Sequence, residues 1–171
     1  MNYLAAADRR GALLLLALFA VGLGLPDLDQ LLPLGHRSAL THSMLPLLLA
    51  VLHPERRLLV PGLALGIGVH LSADSFPNVM TGYATVKLPL AGSIGRTASY
   101  LWLGAHALGC LIVGTLGAFR VLPRGVALLA LGAVAAGAAA YLFVTDGGWP
   151  ALLLYGGAGT AAWRWRQSRG A

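Results

Sequence analysis

Six apolar runs, separated by short polar or glycine- and proline-containing breaks, organise the chain: residues 11–25, 39–52, 58–72, 98–119, 125–144 and 149–163. A helix that crosses a bilayer needs about 20 apolar residues. The fourth and fifth runs reach that length. The other four, about 15 residues each, cross where flanking polar residues are buried in protein or the ends sit below the headgroups. The pattern predicts an all-α, polytopic transmembrane helical bundle of about six spans. Arg9-Arg10 precede the first run as they would a signal peptide, but Pro26-Asp27-Leu28-Asp29 is a poor cleavage site and further apolar runs follow. No internal repeat or domain boundary breaks the pattern. Residues 1–171 read as a single integral membrane domain, with a motif-bearing half at 11–97 and supporting helices at 98–166. The one long connection, residues 75–97, is rich in Gly, Pro, Ser and Thr.

Composition sharpens this reading. Hydrophobic residues make up 57% of the chain and charged residues 11%, against about 25% charged in soluble domains, which excludes a water-soluble globule and a disordered tail. The basic residues lie in short scattered clusters, so the high isoelectric point does not indicate nucleic-acid binding. Cys110, the sole cysteine, sits within an apolar run, where a thiol is normally packing. The 23 Gly suit close-packed membrane helices. With the N-terminus inside, Arg9, Arg10, Arg56, Arg57, Arg120, Arg124, Arg164, Arg166 and Arg169 fall on the inner face, and only Arg37, Lys87 and Arg96 on the outer. The positive-inside rule then predicts both termini cytoplasmic, with Trp163 and Trp165 at the inner interface.

That topology gathers polar residues that neither charge nor hydropathy requires to be together. Asp27 and Asp29 close the first run, His36 follows, His42 opens the second run, and His70 and Asp74 end the third, all towards the outer face. Taken singly, each has an ordinary role: a solvated turn for Asp27 and Asp29, an i,i+4 hydrogen-bonded pair for His70 and Asp74, interhelical polar contacts for Thr41, His42 and Ser43. Together they form a candidate centre, because ionisable groups at membrane depth are costly. Mixed imidazole and carboxylate ligands suit Zn²⁺ best, with Mn²⁺ or Fe²⁺ also accommodated. Six ligands, Asp27, Asp29, His36, His42, His70 and Asp74, exceed what one catalytic Zn²⁺ takes. One or two divalent ions per chain are expected, with Asp29 or Asp74 as a bridge. His106, about two turns into the fourth run, is a further ligand, a supporting partner or a packing group.

The segments Leu25-Pro26-Asp27-Leu28-Asp29, His36-Arg37, Leu40-Thr41-His42-Ser43 and Val69-His70-Leu71-Ser72-Ala73-Asp74 resemble the signature of a family of membrane-bound, metal-dependent hydrolases, the LexA-binding, inner-membrane-associated hydrolases. The signature reads roughly P-D-x-D, then H-R-G-x-T-H-S, then S-H-x-x-x-D. The resemblance covers about residues 20–97. Ser38 stands where Gly is usual and Val69 where Ser is usual, and a looser match follows in residues 82–96. The resemblance implies metal-dependent hydrolysis in a bacterial-type inner membrane. A fainter similarity, His-x-x-x-Asp on a helix, links it by analogy to zinc-dependent phospholipase C and related zinc nucleases.

The expected reaction is hydrolysis of a phosphoester of a lipid or lipid-linked substrate by metal-activated water at the outer, periplasmic face. Arg37, Thr41 and Ser43 are the candidate catalytic residues. Arg37, whose planar fork matches a phosphate, is also expected to bind substrate with Lys87 and Arg96, and the 75–97 loop could close as a lid. A phosphorylated lipid and the surrounding membrane lipids are the expected partners, with no nucleic acid. The alternatives are a metal ion transporter, which would place ligands nearer the midplane, and a non-catalytic membrane partner protein docking through its cytoplasmic Arg clusters.

Overall fold

A computed structural model describes residues 2–32, 35–53, 56–76, 80–145 and 152–168. The chain is mostly helical: α1 (Asn2–Gly24), α2 (Leu45–Leu52), α3 (Arg56–Asp74), α4 (Arg96–Val121), α5 (Arg124–Val144) and α6 (Leu152–Ser168). Three stretches are long and apolar enough to cross a membrane: Asp8–Gln30, Arg96–Val121 and Arg124–Val144. Large apolar side chains such as Leu13, Val21, Leu101, Leu129 and Phe143 face outward, as lipid-facing residues do.

The second apolar run departs from the expected span. Only Leu45–Leu52 is helical, about 12 Å at 1.5 Å per residue, against a hydrocarbon core of about 30 Å. The reason is local: the backbone N–H groups of Thr41 and His42 donate to the Ser38 carbonyl and wind residues 38–44 into tight turns. The Ser43 hydroxyl accepts from the Leu45 N–H and donates to the Leu40 carbonyl, ending those turns at the start of α2.

Helix α3 is the axis of the bundle, with α1 packed on one side and α4 on the other. Glycines set both approaches. A Cβ at Gly66 would strike the Phe19 carbonyl and Gly22, and one at Gly62 would strike Leu18 and the Leu15 carbonyl. The two helices therefore touch backbone to backbone, the small-residue packing typical of membrane helices. Contacts rise together along both chains, so α1 and α3 run parallel. Helix α2 lies in the chain between them. Gly68 meets Leu111, and Gly114 and Gly117 meet Pro61, so α4 runs antiparallel to α3. One core, around Leu15, Phe19, Leu65, Val69, Leu111, Val134 and Leu142, joins α1, α3, α4 and α5. A second, around Leu47, Ile67, Leu71, Met80, Val86 and Leu103, lies on the other side of α3.

Residues 80–95 are not a free loop. Lys87–Leu88 (β1) pairs with Gly92–Ser93 (β2) as a short antiparallel hairpin. The Lys87 N–H donates to the Arg37 carbonyl and the Lys87 carbonyl accepts from the Ala39 N–H. The hairpin thus holds residues 37–39 against the ends of α1 and α3.

Candidate metal centre

Pro26 ends α1 and opens a 3₁₀ turn, Pro26–Gln30, where its missing N–H costs nothing. In a 3₁₀ turn successive residues rotate by about 120°, so residues two apart point in different directions. Asp27 accordingly faces the mouth of the site, its side chain 45% exposed, whereas Asp29 points inward and is fully buried. On α3, His70 and Asp74 share one face through their i,i+4 spacing. The turns at 38–44 bring in His42, also fully buried.

His70 Nδ1 lies 2.8 Å from the Leu23 carbonyl, at the end of α1. A carbonyl only accepts, so the proton sits on Nδ1 and the Nε2 lone pair faces the site. The Tyr141 hydroxyl on α5 also meets Nδ1, at 3.0 Å. His42 Nδ1 faces Asp29 Oδ2 at 3.1 Å and the Thr41 hydroxyl at 3.1 Å, which places a proton on Nδ1 and turns Nε2 towards Asp74. Asp74 Oδ1 accepts from Arg37 Nη2 at 2.8 Å. Its other oxygen, Oδ2, lies 3.1 Å from His42 Nε2 and 3.3 Å from His70 Nε2. Asp27 Oδ1 stands 3.9 Å from His70 Nε2.

These atoms converge without bonding one another: His42 Nε2 and Asp74 Oδ2 are buried and have no hydrogen-bond partner. Buried acceptors left unpaired are costly. A cation between them removes that cost, and adjacent ligands of a tetrahedral ion with bonds of 2.0–2.1 Å lie about 3.3 Å apart. Asp27, His42 and His70 each offer an atom within 4.8 Å of the others, and Asp74 Oδ2 completes the set. The donors are nitrogen and carboxylate oxygen, the chemistry of Zn²⁺, Mn²⁺ or Fe²⁺. The residues fit a divalent ion.

The remaining expected residues take other places. Asp29, expected as a ligand or bridge, stands behind His42, where its Oδ2 accepts from the Ser38 N–H at 2.8 Å and the Thr41 hydroxyl at 3.2 Å. It and Thr41 orient His42 as an outer carboxylate does in metal sites. His36 lies on the rim, stacked on Tyr83 at 4.1 Å, with its ring centroid 6.2 Å from that of His42. Burial, then the neighbouring Arg37 cation, lowers its pKa, so the ring is neutral at pH 7. Its Nδ1 is buried and unpartnered.

Arg37, expected to grip substrate, is itself buried, and besides Asp74 it donates from Nη1 to the Ala84 carbonyl at 2.6 Å. Its fork is turned onto the protein, where it fixes Asp74. Lys87 Nζ donates to the carbonyls of His36, Thr85 and Tyr83, which engages all three of its protons. Burial, then Arg37, lowers its pKa. Arg96, by contrast, is exposed at the start of α4. Ser43 belongs to the turn before α2. His106 Nδ1 contacts the Trp102 carbonyl and its ring lies against Trp102, away from the ligand cluster. Trp102 reaches the site instead, by donating from Nε1 to the His42 carbonyl at 2.9 Å.

Tyr141 and Trp102 are the site-supporting residues that the sequence reading did not single out. The signal for Tyr141 was present, a lone hydroxyl near the end of an otherwise apolar helix. No family model, curated protein or solved structure matches the chain.

Proposed function

We propose that the chain is a membrane-embedded metal-dependent hydrolase that cleaves a phosphoester of a lipid or lipid-linked substrate. The observation that carries this reading is the meeting of His42 Nε2, His70 Nε2 and Asp74 Oδ2, three lone-pair atoms within 3.1–3.3 Å contacts and with their opposite edges held by other groups. The motif resemblance to membrane-bound hydrolases agrees with it.

His42, His70 and Asp74 would hold the ion, with Asp27 at the open side. A bound divalent ion supplies a water acidic enough to ionise near neutral pH and an electrophile for a phosphoryl oxygen. Asp27, half-exposed at the mouth, is placed to accept a proton from an entering water. His36, neutral and with an unpartnered Nδ1, is a second group at the rim able to take or return a proton. Arg96 is the exposed cation available to a phosphate.

The lipid reading rests on the surroundings of the mouth. Leu28 in the 3₁₀ turn, Leu31 and Leu32 just after it, Leu40, and Leu88 and Leu90 on the hairpin are all exposed. An apolar rim of this kind suits an amphiphile arriving from the bilayer. The topology belongs to the same proposal: about six crossings, the second made by α2 with irregular chain, both termini cytoplasmic and the site at the periplasmic face of an inner membrane. Arg57, Arg120 and Arg124 at the helix ends away from the site, and Arg9 and Arg10 in the N-terminal half of α1, support it.

The test is to purify the chain in detergent, measure bound metal, and follow phosphate or phospho-headgroup release from phosphatidic acid, a prenyl pyrophosphate and a phosphodiester phospholipid. The expected result is one or two transition-metal ions per chain and turnover of at least one substrate that His70→Ala abolishes. Metal binding without turnover of any phosphoester would reject the hydrolase reading.

A further inference from the structure

The end of the bundle remote from the metal centre carries a second feature. Between the C-terminal part of α4, the start of α5 and α6 lies a cavity of about 400 Å³. Along α4 it is about 27 Å from the metal centre, counting from Trp102 to Arg120 at 1.5 Å per residue. Leu116, Phe119 and Leu128 line it with apolar surface, and Arg120, Arg124 and Arg166 line it with charge. Among the described residues that line it, none is acidic.

Two of these arginines are held in place by aromatic rings. The Arg120 guanidinium lies over Trp165 at 5.5 Å, and that of Arg166 over Phe119 at 5.4 Å. Such contacts anchor a guanidinium through its face, which leaves N–H groups at its edge for a phosphate. Arg124 opens α5, where the free N–H groups and positive end of the helix dipole add attraction for an anion. Three like charges around one opening repel one another unless an anion sits between them. Tryptophans belong at the headgroup level of a bilayer, and Trp163 and Trp165 both line this cavity.

We propose that this cavity is a binding site for an anionic phospholipid, its phosphate between Arg120, Arg124 and Arg166 and an acyl chain against Leu116, Phe119 and Leu128. The site binds a lipid from the leaflet opposite the metal centre and holds α6 against α4 and α5. It does not depend on the hydrolase reading.

The experiment uses the full chain, delipidated in detergent and offered equimolar phosphatidylglycerol and phosphatidylcholine, with retained lipid counted by native mass spectrometry. The wild type is expected to retain phosphatidylglycerol at least tenfold over phosphatidylcholine. The Arg120→Gln/Arg124→Gln/Arg166→Gln variant should bring that ratio near one. Leu116→Trp, which fills the apolar wall and keeps every charge, should lower retention of both lipids and covers the case in which the triple variant does not fold. Glycerol phosphate, the headgroup without chains, should fail to compete at millimolar concentration. Competition by glycerol phosphate would replace the lipid with a free anion and overturn the proposal. So would undiminished preference in the triple variant, or full retention in Leu116→Trp.

Discussion

His42 Nε2 and Asp74 Oδ2 lie 3.1 Å apart, both buried, in a contact that is not a hydrogen bond. The opposite edges are already held, Asp29 and Thr41 on the histidine and Arg37 on the carboxylate. The two unpartnered atoms therefore fit as ligands of one cation. His42→Ala and Asp74→Asn should therefore each lower metal affinity by more than the 10–100-fold typical of outer-shell changes. Competition with a chromogenic chelator measures this, and unchanged affinity in both variants would remove the centre.

Asp29 is predicted to act one step further out. Asp29→Asn keeps the shape and takes away the charge that favours the Nδ1 proton of His42. Metal affinity should fall by about 10–100-fold, less than in His42→Ala. A loss equal to that of His42→Ala would instead make Asp29 a ligand.

Arg37 separates positioning from substrate binding. Its pair with Asp74 is largely buried, with side chains 10% and 16% exposed. Removing one partner of such a pair costs about 3 kcal/mol. Arg37→Ala should lower both thermal stability and metal affinity, and Arg37→Lys should restore only part of each because the fork is lost. If Arg37→Ala keeps metal and stability but loses turnover, the guanidinium meets substrate after all.

Much of this site was legible in the sequence because spacing rules govern it. The i,i+4 spacing put His70 and Asp74 on one face, and the clustering of Asp27, Asp29, His36 and His42 at run ends brought them to the same end of the bundle. The division of labour among them was not legible. Whether Asp29 or Asp27 faces the centre depends on rotation within the 3₁₀ turn that Pro26 initiates, and sequence separation does not report rotation. Nor could charge alone show that Arg37 and Lys87 turn inward, because their acceptors, Asp74 and the carbonyls of residues 36 and 83–85, are brought close only by the hairpin. The shortness of α2 was missed for a related reason. The run at 39–52 reads as one span because of its leucines, whereas the backbone of residues 38–44 is bent into turns around Ser38.

The crossing of α1 and α3 offers a prediction that links packing to the site. A Cβ at Gly66 would meet the Phe19 carbonyl and Gly22, which forces the helices apart. Gly66→Ala should cost about 1–3 kcal/mol through overpacking. It should also weaken metal binding, since the Leu23 carbonyl that fixes His70 lies one residue past Gly22. Gly104→Ala, in open space on α4, is the control and should change neither. Equal behaviour of the two variants in thermal unfolding and metal titration would break the link between the crossing and the site.

Metal removal gives the last prediction, because a bound ion stabilises only the folded state. At a free concentration of 1,000 times Kd the gain is about 4 kcal/mol, and a chelator should remove all of it. Wild-type protein treated with chelator should therefore unfold at a clearly lower temperature than the metal-loaded form. Asp74→Asn should show little chelator effect, since it holds little metal to lose. Its apo form should also differ from apo wild type in a definite direction at the His42 contact. An amide N–H at position 74 can donate to His42 Nε2, which relieves the repulsion between two acceptors, while the weakened Arg37 pair opposes that gain. Arg37→Ala/Asp74→Asn removes the opposing interaction and isolates the gain. In metal-free protein the double variant should be more stable than Arg37→Ala alone. If it is less stable, the 3.1 Å contact between His42 and Asp74 is already satisfied without an ion, and the argument for a cation at this position fails.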